Sequence, residues 1–389
     1  MPKHNHNLFV AAPLPVTELG TGERLACLRL IRSENIGPVT FRALINYFGG
    51  AEAALAAVPE LSRRGGRSRP IRLCPADKAE AELERAAQAG AVPLFTIEPG
   101  YPAALAVIDA PPPLLYVKGD AALLDRPIVS IVGSRQSSAA GNKIARVFAH
   151  GLGRAGYVVG SGLARGIDAA AHQAALQSGT IAVVAGGIDV VYPPEHEALQ
   201  RTIGERGCLI TEMPPAFVPR GKDFPRRNRI ISGISLGVLS VEAARRSGSL
   251  VTARLAAEQG GDVFAIPGHP LDPRAEGTNR LLKSGATLVT EPEDLLSALA
   301  PLAGTAPSPS YEEPEDEPPA GPAPYTPLCD SDRDQVIAAL GTAPIDIDTL
   351  VRGTGLEIRS VQVALIELAL AGRIERHGNG FVSLSPDGP

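Results

Sequence analysis

The chain has no tryptophan, and only 4% of its 389 residues are aromatic. A partner gripped through many stacked rings is therefore excluded, and any stacking must rest on one or two rings. The four cysteines, Cys27, Cys74, Cys208 and Cys329, lie far apart and form no C-x-x-C pair. That excludes a zinc ribbon and a disulfide framework, and it fits a reducing compartment. No H-E-x-x-H, Walker A or G-x-S-x-G segment occurs, and the histidines lack metal-ligand spacing, so no metal, cofactor or covalent catalysis is expected. No apolar run reaches the roughly 18 residues that span a bilayer. The apolar stretch at residues 8–16 is short and interrupted by Pro13 and Pro15, unlike a signal peptide. The expectation is a cytoplasmic protein that is not an enzyme.

Charge is unevenly spread. The formal net charge is −5, but Glu312, Glu313, Glu315, Asp316 and Glu317 account for all of it. Between Met213 and Arg254 eight cations (Arg220, Lys222, Arg226, Arg227, Arg229, Arg245, Arg246 and Arg254) face only Asp223 and Glu242. So dense a basic cluster in a near-neutral chain points to a polyanion.

Residues 1–20 are polar and Pro-containing and read as disordered. Residues 21–75 show helical periodicity around Ile36-Gly37-Pro38, suggesting a small helix-hairpin-helix or SAM-like module. From residue 76 to 300 apolar strands alternate with amphipathic helices. That pattern predicts an α/β domain, an extended Rossmann-like, doubly wound and mostly parallel sheet. Residues 301–327 hold nine prolines, five acids and no base, as in an extended linker. Residues 328–389 read as three helices and a hairpin turning at Gly378-Asn379, a winged helix.

Within the α/β region, Gly133-Ser134-Arg135 follows a strand, and Arg135 offers a bidentate fork to phosphate oxygens. The segment from Gly160 through Gly162 and Arg165 to Gly166 looks like a dinucleotide fingerprint. Its glycines fall as G-x-G-x-x-x-G, however, and on the second strand of the unit rather than the first, so a phosphate cradle without dinucleotide is the better reading. Asp168 and His172, four apart on the helix that opens there, are expected to cap the helix and to make a buried hydrogen bond. Lys222, Phe224, Arg226, Arg227, Asn228 and Arg229 combine cations for phosphates with one ring for a base. Ser247, Gly248, Ser249 and Thr252 form a small-residue turn into another helix, where free N–H groups attract anions.

VGSR at 132–135, SGLARGIDAAAH at 161–172, Tyr192-Pro193, FPRRNRIISGIS at 224–235, VEAARRSGSLVTA at 241–253, VFAIPG at 263–268 and GTNRLLKSGA at 277–286 occur in order. This set resembles the DNA processing protein A family (DprA, also called Smf) over about residues 100–290. The resemblance implies a homodimer that binds single-stranded DNA. It also implies loading of the RecA recombinase onto strands held by single-strand binding protein, as in natural transformation. By the same resemblance Arg135 and Lys222 are expected DNA contacts. The apolar segment at 271–282 is a candidate dimer surface. Two other classes compete. A nucleoside monophosphate phosphoribohydrolase of the lonely-guy type would need a catalytic glutamate that residues 246–252 lack. A winged-helix transcription regulator would need a basic reading face, whereas Arg352 and Arg359 sit beside Asp346, Asp348 and Glu357.

Overall fold

The computed structural model describes residues 18–303, 328–377 and 380–386. The turn expected at Gly378-Asn379, most of the N-terminal segment read as disordered and most of the Pro-rich linker fall outside them. Helices are α1 (Thr21–Ile31), α2 (Pro38–Phe48), α3 (Ala51–Arg64), α4 (Ala76–Gln88), α5 (Ala103–Ala106), α6 (Ala139–Arg154), α7 (Ile167–Ala175), α8 (Glu197–Arg206), α9 (Asp223–Gly233), α10 (Ser249–Glu258), α11 (Glu276–Lys283), α12 (Pro292–Ala303), α13 (Asp330–Ala339), α14 (Ile347–Thr354) and α15 (Ile358–Leu370). Strands are β1 (Val92–Phe95), β2 (Leu114–Gly119), β3 (Ile128–Gly133), β4 (Val158–Ser161), β5 (Thr180–Val183), β6 (Cys208–Thr211), β7 (Gly237–Val241), β8 (Asp262–Ala265), β9 (Thr287–Leu288), β10 (Ile345–Asp346), β11 (Ile374–Arg376) and β12 (Phe381–Leu384).

The described residues divide into two compact units, those within 82–94 and 100–312 and those within 1–81, 95–99 and 313–389. The larger carries a nine-stranded sheet in the order β1-β2-β6-β5-β4-β3-β7-β8-β9. From β6 to β9 every pairing is parallel, while β2 runs antiparallel to β6, so the sheet is mixed but mostly parallel. Alternation along β3 shows how both faces become core. Ile128 and Val132 pack with Ile181, Ile230 and Ile234 on one side, and Val129 and Ile131 pack with Phe148, Ala171 and Leu239 on the other. Helices cover both faces, which is why these strands read as continuous apolar runs.

In the other unit α1, α2 and α3 form the small N-terminal module. Gly37 precedes α2 and Pro38 opens it, where the missing N–H costs nothing. Helices α13, α14 and α15 with a three-stranded sheet, β10-β12-β11, form the winged helix. The extra strand β10 goes beyond the expected hairpin: Ile345 and Asp346 pair with Val382 and Phe381. Among the described residues no helix is long and apolar enough to cross a membrane.

Candidate nucleic-acid interface

Parallel pairing sends the C-terminal ends of β6, β5, β4, β3 and β7 to one edge of the sheet, and β3 sits where the chain order reverses. Ligands bind at such switch points in open α/β sheets. The turns leaving these strands carry most of the candidate residues. Gly133 has no room for a side chain: a Cβ there would lie 1.9 Å from the Val241 carbonyl. Gly166, at φ +74°, brings the β4 turn against the β3 turn, since a Cβ would fall 2.3 Å from the Ser134 carbonyl. The Ile167 N–H donates to the same oxygen at 3.3 Å. Two glycines thus place Gly133, Ser134 and Arg135 beside the segment from Gly162 to Gly166.

Arg135 is exposed, and its guanidinium carbon lies 5.3 Å from the centroid of the Phe224 ring. Such a distance is within cation–π range. On Phe224 also leans Tyr192, with centroids 5.1 Å apart at an interplanar angle of 48°. Tyr192 is 43% exposed, so part of this aromatic pair is accessible from solvent. Lys222 sits exposed at the N-terminus of α9. A cation, two rings and a second cation therefore share one surface. Tyr192 was not among the candidate contacts from sequence, although Tyr192-Pro193 is one of the segments that carry the resemblance; its place beside Phe224 follows only from the fold.

The cationic run forms the first two turns of α9. At 100° per residue its side chains diverge. Arg226 remains outward, ion-paired to Glu212 at 3.0 Å, and Arg229 reaches the same carboxylate at 2.6 Å and the Ala110 carbonyl at 2.8 Å. Glu212 lies one residue before the segment whose charge looked uncompensated, so the surface is less basic than its sequence. Arg227 turns fully inward and donates through Nη1 to the carbonyls of Gly162 (2.6 Å) and Val183. Burial pulls its guanidinium down to about 10, opposed by Asp168, so it stays charged. A Cβ on Gly162 would meet Arg227 Nη2 at 2.7 Å, so the buried glycine makes room for the cation. Asn228, buried, donates through Nδ2 to the Gly248 carbonyl at 3.3 Å and ties α9 to the next turn. There Gly248 is exposed, Ser247 and Ser249 share a hydroxyl hydrogen bond of 2.7 Å, and Thr252 is buried below the surface. Arg165 is exposed but paired to Glu195 at 2.8 Å.

Under this surface Asp168 does not cap α7 as expected, since the N-cap is Gly166 with no side-chain bond; it reaches back instead to accept the N–H groups of Gly162 and Ala164 in the preceding turn, both at 3.2 Å. Burial raises its carboxyl, against the pull of Arg227. His172 is fully buried, with Nδ1 2.7 Å from Thr180 Oγ1. The first βα turn has its own anion. Glu242, at φ +52° just past β7, accepts the Ser138 N–H at 2.8 Å and the Ser138 hydroxyl at 2.5 Å, at the start of α6. A nucleotide phosphate would occupy that helix terminus in a dinucleotide site. Among the described residues no group of His, Cys, Asp and Glu could hold a metal ion.

Three family models match along the chain. Residues 93–300 match the family model for DNA recombination-mediator protein A, residues 21–85 that for a DprA-like N-terminal HHH domain, and residues 313–380 that for a DprA winged helix domain. The chain is similar to Protein Smf of Escherichia coli (strain K12), at 41% identity over 290 residues, covering 73% of this chain and 75% of that one. It is also similar to DNA processing protein DprA of Streptococcus pneumoniae (strain ATCC BAA-255 / R6), at 46% over 208 residues, covering 53% and 73%. An X-ray structure of DNA processing protein A from Streptococcus pneumoniae superposes with a TM-score of 0.62 at 34% identity, covering 72% of this chain and 98% of that one.

Proposed function

Since the chain belongs to the DNA recombination-mediator protein A family, the DprA/Smf proteins, we propose that its sheet edge is a binding site for single-stranded DNA. The observation that carries this reading is the cluster of Arg135, Phe224 and Tyr192. Cations take backbone phosphates, and exposed rings take unpaired bases, which a duplex keeps stacked inside. Lys222 and the exposed Gly248 turn extend the phosphate track on either side. Arg227, Asn228 and Thr252 act from beneath as support. Gly133, Gly162, Ser247 and Ser249 shape the turns, and Arg165 and Arg226 contribute charge tempered by their carboxylates. The same reading makes the protein a mediator without covalent chemistry. It hands single strands to RecA where single-strand binding protein would otherwise hold them, and it works as a homodimer whose surface includes the exposed Leu271. On this reading residues 21–75, 76–300 and 328–389 are its three working parts.

Binding of labelled single strand and duplex, across salt, tests the site. Arg135→Ala is expected to weaken all single strands alike and to flatten the slope of log K against log salt by about 0.7. An unchanged slope would remove Arg135 from the phosphate track. Phe224→Ala and Tyr192→Ala are each expected to weaken binding about 5- to 150-fold, as loss of one stacked base implies. The loss should vanish on an abasic strand, where no base remains to stack. Equal losses on both strands would reject the stacking role. Assembly of RecA on a coated strand, with and without the protein, tests the mediator step.

A further inference from the structure

Helix α15 occupies the place of the recognition helix in the winged domain. One side of it, Val361, Ala364, Leu365, Leu368 and Ala369, packs into the core of that domain with Leu350, Ile374 and Val382. At 100° per residue, Val363, Ile366 and Leu370 point the opposite way. A duplex-reading winged helix turns this outer side to the groove. Here those three residues are no more than 4% exposed. They are covered because α15 packs along α3 and α2 of the N-terminal module.

Polar contacts lock the same seam. The Leu370 carbonyl accepts Asn35 Nδ2 at 3.0 Å and the Ser62 hydroxyl at 3.4 Å. Arg373 Nη1 donates to the Gly65 carbonyl at 3.5 Å. Gly65 carries the most telling detail. Its φ of −62° suits any residue, so its own turn does not ask for glycine. A Cβ there would lie 2.1 Å from the Glu367 carbonyl and 2.8 Å from Ala371 Cβ. Only the winged domain requires that position to be bare.

We propose that the outer face of α15 is a protein-docking face and that its resident partner is the N-terminal helical module of the same chain. Its chemistry agrees. The face is apolar, and the one acid of α15, Glu367, is buried and neutralised by Arg333 at 2.8 Å, so this side offers a phosphate backbone apolar surface rather than charge. The winged domain is therefore a clasp that joins the two ends of the polypeptide, not a reader of duplex sequence.

Full-length protein with a site-specific protease sequence placed between residues 304 and 327 tests this. After cleavage, residues 328–389 are expected to co-elute with the body in gel filtration and to separate in denaturant. Gly65→Leu, which overpacks the seam alone, is expected to weaken retention about 5- to 150-fold, with single-strand affinity unchanged. Should that variant fail to fold, Asn35→Ala combined with Ser62→Ala loosens the seam without added bulk. A fragment that leaves the wild-type body on cleavage, or stays only within a two-chain assembly, overturns the proposal. So does a gain of duplex affinity in a loosened variant, which would mark the face as a masked reader.

Discussion

Arg227→Ala is expected to lower stability by about 3–5 kcal/mol, because it leaves a buried carboxylate without its nearby cation and two buried carbonyls without their donor. Single-strand binding should fall with it. The reason is position. Arg227 lies on α9 yet hydrogen-bonds the turn after β4 and the end of β5, so one side chain joins three elements of the sheet edge. Without it Asp168 keeps its burial but loses the cation that favours its charged form, and the carbonyls of Gly162 and Val183 lose a donor. Arg227→Lys should recover little, because an ammonium cannot fill the space that Gly162 leaves for a planar fork. Urea midpoints of the two variants decide the matter: a loss below about 1 kcal/mol would mean that the network is dispensable.

Acidification is expected to produce the second large effect, through His172. Thr180 donates its hydroxyl proton to the Val159 carbonyl at 2.9 Å, so it can only accept from His172, and Nδ1 must carry the proton. Among the described residues Nε2 is then a buried acceptor without a partner. Charging it would bury an unmatched cation, and desolvation accordingly lowers the pKa from 6.5 to about 3, with Arg227 and His196 adding to the drop. A folded pKa below the unfolded one gives stability that is complete above pH 6.5 and lost as pH falls toward 3. The loss approaches about 1.4 kcal/mol per pH unit below the unfolded value, or about 2 kcal/mol by pH 5. Wild type and His172→Gln, compared by urea midpoint from pH 7 to pH 4, should converge on the acid side. Parallel curves would show that His172 protonates without penalty.

The strand-and-helix alternation was legible because both faces of the sheet are covered, leaving β3, β4, β5 and β7 as unbroken apolar runs between glycine turns. The GSR turn at the end of β3 was legible for the same reason. Charge was not. Arg226, Arg227 and Arg229 are near neighbours in sequence, but a helix sends one to the surface, one to the core and one to Glu212. A linear count cannot see rotation about a helix axis, nor a carboxylate from the preceding strand end. Tyr192 and Phe224, 32 positions apart, become neighbours only through the parallel order of β5 and β6. The second apolar side of α15 was hidden differently, since a helix apolar all round reads simply as buried and does not say by what.

Glu242 has a bearing on competition inside the cell. A mononucleotide entering at the start of α6 would have to expel a carboxylate already held by Ser138. Gly141 lets that carboxylate seat closely, as a Cβ there would come within 2.5 Å of it. The pool of free nucleotides therefore meets a terminus that is self-saturated. On the proposed function a strand is gripped farther out along the sheet edge, where many weak phosphate and base contacts add up and a single nucleotide makes too few to persist. On that reading selection of polymer over monomer has two sources, the contacts that add up along a strand and the carboxylate of Glu242 that already fills the helix terminus.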